Sequence, residues 1–157
     1  MPMHLFVYEF VTGGGWYSAN RGGPPPAGLA REGRAMLAAL LTDLANIAGN
    51  TVSTLRDSRS PPLAVEGHRS IVVASAAEER AALARLAGQA DWTMVVAPEF
   101  EGFLAERSRW VIRAGGRLLG SPPPLIELAA DKHPAMPSRK QPIGFVARVA
   151  YAAHLWG

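Results

Sequence analysis

The amino-acid sequence predicts an α/β fold: a three-layer, Rossmann-like parallel sheet of about five strands, flanked by helices on both faces. Three observations lead there. Short β-branched and aromatic runs, beginning with Leu5-Phe6-Val7-Tyr8, recur as far as Leu119. Between them the apolar residues repeat at the helical period. Clusters of Gly, Pro, Asn and Ser separate the two kinds of segment. Apolar strands alternating with helices belong to a parallel sheet covered on both sides.

The first strand spans Leu5 to Phe10 and ends at Thr12-Gly13-Gly14-Gly15. A polar, Gly- and Pro-rich loop is expected from there to Gly28. A helical stripe follows: Leu29, Met36, Leu37, Leu40, Leu41, Leu44 and Ile47, with Arg31, Arg34, Asp43 and Asn46 turned away. Gly49-Asn50 stops it in the usual C-terminal manner. Thr51 to Leu55 is the second strand, followed by the turn-rich Arg56-Asp57-Ser58-Arg59-Ser60-Pro61-Pro62. Ser70 to Ala74 is the third.

Ser75 and Glu78 then have the spacing of a capping box, in which the Ser oxygen and the Glu carboxylate satisfy orphan amides. The helix behind them is expected to bury Ala82, Leu83, Leu86 and Ala90. Trp92 to Ala97 is the fourth strand, ended by Pro98. A helix over Phe100 to Ala114 closes at Gly115-Gly116, and Arg117 to Leu119 is a short final strand. Ser121 is expected to cap a short helix over 122–130, because prolines in a first turn lose no internal hydrogen bond.

A chain of 157 residues suits one domain burying roughly two-thirds of its unfolded surface. That domain is expected over 1–132, with 133–157 as a basic and apolar tail. No run approaches the ~20 uncharged apolar residues of a membrane span. The N-terminus opens as a strand, without the n-region, h-region or cleavage site of a signal peptide, so the expected compartment is the cytoplasm.

Cysteine is absent, which removes disulfides and thiolate chemistry together. Lys and Arg number 16 against 13 Asp and Glu. The excess lies in Arg139, Lys140 and Arg148, and no aromatic residues interleave with basic ones, so nucleic acid is not an expected partner.

Ligands of open parallel sheets bind beyond the carboxyl ends of the strands. That rule selects Gly13-Gly14-Gly15 after the first strand, Arg56-Asp57 after the second, Ser75 after the third, and Pro98-Glu99 after the fourth; Glu9 lies near the end of the first strand. The triple glycine lets backbone approach a ligand closely. It is no dinucleotide fingerprint, because the next expected helix waits until about Leu29. A flexible loop is the alternative reading, with Trp16 and Tyr17 as an aromatic lid if a ligand binds.

Glu9 and Glu99 suit an ammonium group; for Glu9 a solvent-facing or Arg-paired role is equally open. Arg56 can clamp a carboxylate bidentately, or pair with Asp57. Arg107 falls on the apolar stripe of its helix, where a snorkelling side chain is expected. His4, His68, His133 and His154 have no ligand spacing, so no metal site is expected. No GxSxG elbow is present.

Four segments in order resemble the amino-terminal domain of the ATP-grasp ligases. They are Val7-Tyr8-Glu9-Phe10-Val11-Thr12-Gly13-Gly14-Gly15, Glu32-Gly33-Arg34-Ala35-Met36-Leu37, Val95-Val96-Ala97-Pro98-Glu99-Phe100-Glu101-Gly102, and Gly120-Ser121 with Leu128-Ala129-Ala130-Asp131-Lys132. The resemblance is nearest to the branch containing tyramine–L-glutamate ligase of methanofuran biosynthesis. It implies a carboxylate activated by ATP and magnesium as an acylphosphate, then attacked by an amine to give an amide. It also implies substrate contacts at the strand ends and a phosphate contact for Lys132, the latter only beside a grasp domain; a solvated helix-end lysine is the alternative.

The segment 133–157 does not resemble the family's continuation into its ATP-binding domains. The expectation is a truncated ligase, catalytically inactive alone, with no cofactor of its own. A small-molecule amine or amino acid is its expected ligand and an ATP-grasp chain its expected partner, and the tail from Ile143 is expected to cover the bare surface or pair two copies. A non-catalytic small-molecule or protein-binding module is the alternative, and an independent α/β enzyme is a third.

Overall fold

The computed structural model describes residues 2–98 and 100–131. Glu99, Lys132 and the tail 133–157, all singled out above, lie outside them.

Four parallel strands form the sheet: β1 (His4–Glu9), β2 (Thr51–Asp57), β3 (His68–Val73) and β4 (Trp92–Val96), in spatial order β3-β2-β1-β4. Five helices accompany them: α1 (Gly15–Ala19), α2 (Ala27–Ala45), α3 (Ala76–Gln89), α4 (Phe103–Arg113) and α5 (Pro123–Asp131). The α/β architecture follows the sequence pattern, with one strand fewer. The segment expected as a fifth strand makes a single parallel bridge, Thr93 with Leu118.

The central strand explains the two cores. Along β1 and just beyond it, Phe6, Tyr8 and Phe10 join the cluster containing Leu55, Leu83, Leu86 and Val111, while Val7 joins Leu37, Leu41 and Val52. This is the period-2 alternation of a strand covered on both faces. Burying a Leu or Phe contributes roughly 1.5–3 kcal/mol, so the two layers of β1 hold α3 and α4 on one side and α2 on the other.

Helix α2 buries Leu29, Gly33, Leu37 and Leu41, a stripe at i, i+4 spacing. The expected stripe was wider than this. Met36 is 38% and Ile47 52% exposed, because the sheet accepts only the narrow ridge. Gly33 is the reason for the close approach: a Cβ there would sit 2.9 Å from both carboxylate oxygens of Glu9.

Three boundaries differ from expectation. The long loop after the first strand contains α1, which starts at Gly15 directly behind the triple glycine. The helix expected over Phe100 to Ala114 is broken. Phe100–Gly102 forms a 3-10 turn with Glu101 at φ 55 and Gly102 at φ 73, and α4 begins only at Phe103. At α5 the helix begins one residue later than expected, at Pro123, and the Pro122 carbonyl accepts from the amides of Leu125 (3.0 Å) and Ile126 (3.2 Å).

Candidate functional site

Strands β1, β2 and β3 step one way across the sheet, and β4 returns to the other side of β1. The switch point, where ligands of such sheets bind, therefore lies between the carboxyl ends of β1 and β4. Here that crevice is filled. Phe10 donates its amide to the Val96 carbonyl at 2.8 Å, and its ring stacks on Phe103 at 4.6 Å. The Arg107 guanidinium lies over Phe10, Phe103 and Trp110 at 4.9, 5.8 and 4.5 Å from the ring centroids.

Arg107 is only 3% exposed, and Glu79 on α3 only 1%. Arg107 Nη2 donates to Glu79 Oε1 at 3.3 Å, the Tyr8 hydroxyl donates to the same oxygen at 2.5 Å, and Ser18 Oγ donates to Oε2 at 2.6 Å. Four elements thus meet on one carboxylate. Burial pushes the Tyr8 phenol well above its ordinary value, and the Glu79 charge adds to the shift. For Arg107 burial works downward, but facing Tyr8 and Glu79 outweighs it and its pKa is raised.

The expected snorkelling of Arg107 is therefore corrected. It is an internal cation, paired and caged by rings. A sealed ion pair of this kind holds elements together and has no access to a reacting molecule.

The glycine loop is tightly packed. A Cβ at Gly13 would meet the Glu9 carbonyl at 2.7 Å, and one at Gly15 the Phe10 ring at 2.4 Å. Gly14 has φ +103 and lies against Asp57, Val73 and Glu79. Tyr17 is buried, so the expected aromatic lid is instead part of the core, with the Arg59 guanidinium 3.8 Å above its ring. The Glu9 carboxylate is buried too, accepting from the Val11 amide at 3.0 Å and the Thr12 amide at 2.7 Å. Burial raises its pKa, with the two amides pulling the other way. A solvent-facing Glu9 is thus excluded.

After β2 the side chains are differently used. Asp57, itself buried, accepts from Arg59 Nε and Nη2, each at 2.8 Å, and from the Arg59 amide at 2.9 Å. Burial would raise its pKa, but the Arg59 bonds and charge prevail and lower it. Arg56 donates to the Ser60 carbonyl at 2.5 Å and makes no ion pair with the Asp57 carboxylate.

After β3, Ser75 Oγ accepts from the Glu78 amide at 3.2 Å. The Glu78 carboxylate accepts from the Ala74 amide, one residue before the position a capping box uses. After β4, the Pro98 carbonyl accepts from the Leu104 amide at 3.2 Å.

Residues 50–126 match the model of the pre ATP-grasp 3 domain. The match covers just under half of the 157 residues and runs from the start of β2 to Ile126 in α5. It supports an N-terminal pre-ATP-grasp region of an ATP-grasp ligase. No curated protein and no solved structure matches the chain.

Of the site residues chosen from sequence, the structure brings Glu9 and Gly13–Gly15 together on the β1 loop. Arg56, expected in a turn, is instead inside β2, beside Asp57, whose amide donates to the Thr12 carbonyl at 2.7 Å. Ser75 and Pro98 stand apart, each occupied with a helix start. An apolar cleft of about 160 Å³, lined by Val95, Leu104, Leu118, Leu119, Leu125 and Ile126 among others, contains none of them. Sequence reasoning missed Glu79 and the Asp57–Arg59 pair. Glu79 was findable, since it shares a helical stripe with Ala82, Leu83 and Leu86, just as Arg107 shares one with Phe103 and Trp110.

Among the described residues no three His, Asp or Glu side chains gather as metal ligands, and the glycine turn is filled by its own neighbours. No helix of the described residues is long and apolar enough to cross a membrane.

Proposed function

We propose that this chain is the substrate-holding N-terminal domain of an ATP-grasp carboxylate–amine ligase. The observation that carries this reading is the match of residues 50–126 to the pre ATP-grasp 3 domain, on a four-stranded parallel sheet. Substrate contacts fall to Arg56, Ser75, Pro98, Glu99 and the loop of Glu9 and Gly13–Gly15. ATP and magnesium belong to a grasp domain, with Lys132 reaching the phosphates only when that domain is present. The finer reading takes glutamate and tyramine as acid and amine, in methanofuran or related one-carbon cofactor synthesis, in the cytoplasm.

The test is a thermal-shift titration of the chain with ATP–magnesium, glutamate and tyramine in separate series. A ligand at 100 times its dissociation constant adds about 2.7 kcal/mol, a shift of several degrees for a domain of this size. The expected result is a shift with the amine or the amino acid and none with ATP. A shift with ATP alone overturns the assignment of ATP to the grasp domain, and silence from all three overturns the substrate role. The Phe10–Phe103 stack across the switch-point crevice favours a second reading, a non-catalytic protein-binding module, which that silence would support.

A further inference from the structure

Three arginines hold one six-residue segment, Asp57–Pro62. Arg59 grips the Asp57 carboxylate with Nε and Nη2, each at 2.8 Å. Arg56 Nη1 donates to the Ser60 carbonyl at 2.5 Å. Arg34, from α2, donates through Nη1 to the Pro61 carbonyl at 2.5 Å and through Nη2 to the Pro62 carbonyl at 3.0 Å. The Ser60 amide bonds the Asp57 carbonyl at 3.0 Å. Asp57–Ser60 is thus a closed turn, whose end Cα atoms lie within about 7 Å of each other. The carboxylate and carbonyls of the segment fix where each guanidinium sits.

Arg59 is the most rigidly set. Asp57 fixes its edge, and the Tyr17 ring 3.8 Å below fixes its plane. Its remaining nitrogen, Nη1, faces Gly22, lying 3.5 Å from where a Cβ there would be. The whole side chain is 41% exposed. Exposed Arg21 precedes Gly22 on the same loop.

The charge balance is one-sided. Asp57 is the acid in the turn, and Arg59 already neutralises it. Glu32 is two residues from Arg34 on α2, about 200° around the helix and so on another face. Glu66 precedes Gly67, which packs near Ala45 at the far end of α2. The Glu9 carboxylate at this edge is buried on the Val11 and Thr12 amides, and Arg56 feels Asp57 at a distance. Arg21, Arg34 and Arg56 nevertheless form no direct ion pair among the described residues, leaving the carboxyl edge of the sheet rich in cations. A preorganised guanidinium fork among further cations suits a planar or tetrahedral oxyanion, since its N–H groups bind in pairs.

We propose that the segment Asp57–Pro62, with Arg21, Arg34, Arg56 and Arg59, is a binding site for the carboxylate or phosphate group of a small ligand. Arg56 is shared with the substrate contacts proposed above, and to that extent the site rests on that reading; Arg21, Arg34 and Arg59 stand on this geometry alone. An absence of binding to tyramine or ATP leaves the site untouched.

The test titrates the full chain with succinate and with inorganic phosphate at low ionic strength, followed by calorimetry, with sodium chloride at matched ionic strength as control. Saturable binding of either anion above the chloride background is expected, and the tighter of the two names the group. Arg21→Ala, which removes an exposed side chain, and Arg59→Lys, which keeps charge but loses the fork, are each expected to weaken binding about tenfold. Circular dichroism checks that both variants remain folded. No saturation above chloride overturns the site, and so does saturable binding that neither folded variant weakens.

Discussion

Glu79 and Arg107 are each nearly excluded from water, so neither is neutral to remove. Arg107→Ala leaves the Glu79 carboxylate buried without its cation. The expected loss is about 3–5 kcal/mol, the usual cost of breaking a buried pair from one side, read by urea unfolding. Tyr8→Phe removes a bond to a charged acceptor and is expected to cost about 1.5–3 kcal/mol. The two buried carboxylates Asp57 and Glu9 respond to pH in opposite senses. The folded pKa of Asp57 lies below its ordinary 3.8, so its stabilisation is present above the unfolded value and lost as pH falls through the folded one. The folded pKa of Glu9 lies above 4.5, so its contribution is full below the unfolded value and fades as pH rises through the folded one. Asp57→Asn is therefore expected to cost about 1–2 kcal/mol at neutral pH, discounted because Arg59 is partly solvated. In melting curves between pH 2 and 7, its gap from the parent chain narrows below about pH 3.8.

Helix α2 carries two glycines that predict opposite outcomes. Gly33→Ala drives a Cβ to 2.9 Å from the Glu9 oxygens. Overpacking of about 1–3 kcal/mol outweighs the gain in helix propensity of about 1 kcal/mol. Gly28→Ala meets nothing within 4 Å and is expected to stabilise by a few tenths to about 1 kcal/mol. Thermal melts of the two variants beside the parent check both signs. At this scale some features were legible and others were not. The Ser75 cap of α3 depends on neighbours in sequence, and its Ser–Glu spacing announced it. Helix α1 was hidden because five residues cannot sustain a helix alone. Its stability comes from Tyr17 beneath Arg59 and Ser18 on Glu79, partners that lie far along the chain. The kink at Glu101 was hidden as well, since nothing in Phe100-Glu101-Gly102 marks Glu101 as the residue that takes φ 55.

For the molecule as a whole, strand order sets where the sheet is firmest. β1 has a strand on either side and is buried almost throughout, whereas β3 is an edge strand with Val72 half exposed. Native-state hydrogen exchange is expected to be slowest at the β1 amides and faster along β3. Equal protection of the two strands would contradict that order. The sheet stops short of a fifth strand because β4 meets Arg117–Leu119 only around Thr93, before Gly120 at φ 153 turns the chain.

By itself the sequence determined the α/β class, the parallel sense of the strands and the location of polar residues at their carboxyl ends. These follow from local periodicity, from strands too apolar to face water, and from connections long enough for crossovers. Tertiary structure alone decided which of those polar residues look outward. Glu9, Tyr8, Glu79 and Arg107 turn inward and Arg56 and Arg59 clasp a turn, because each choice depends on what another segment brings opposite it. A charge on an apolar stripe reads as snorkelling until its partner is seen. Burial of Arg107 is tolerable beside Glu106 and Glu79, and the buried one of these, Glu79, is 28 positions away in sequence.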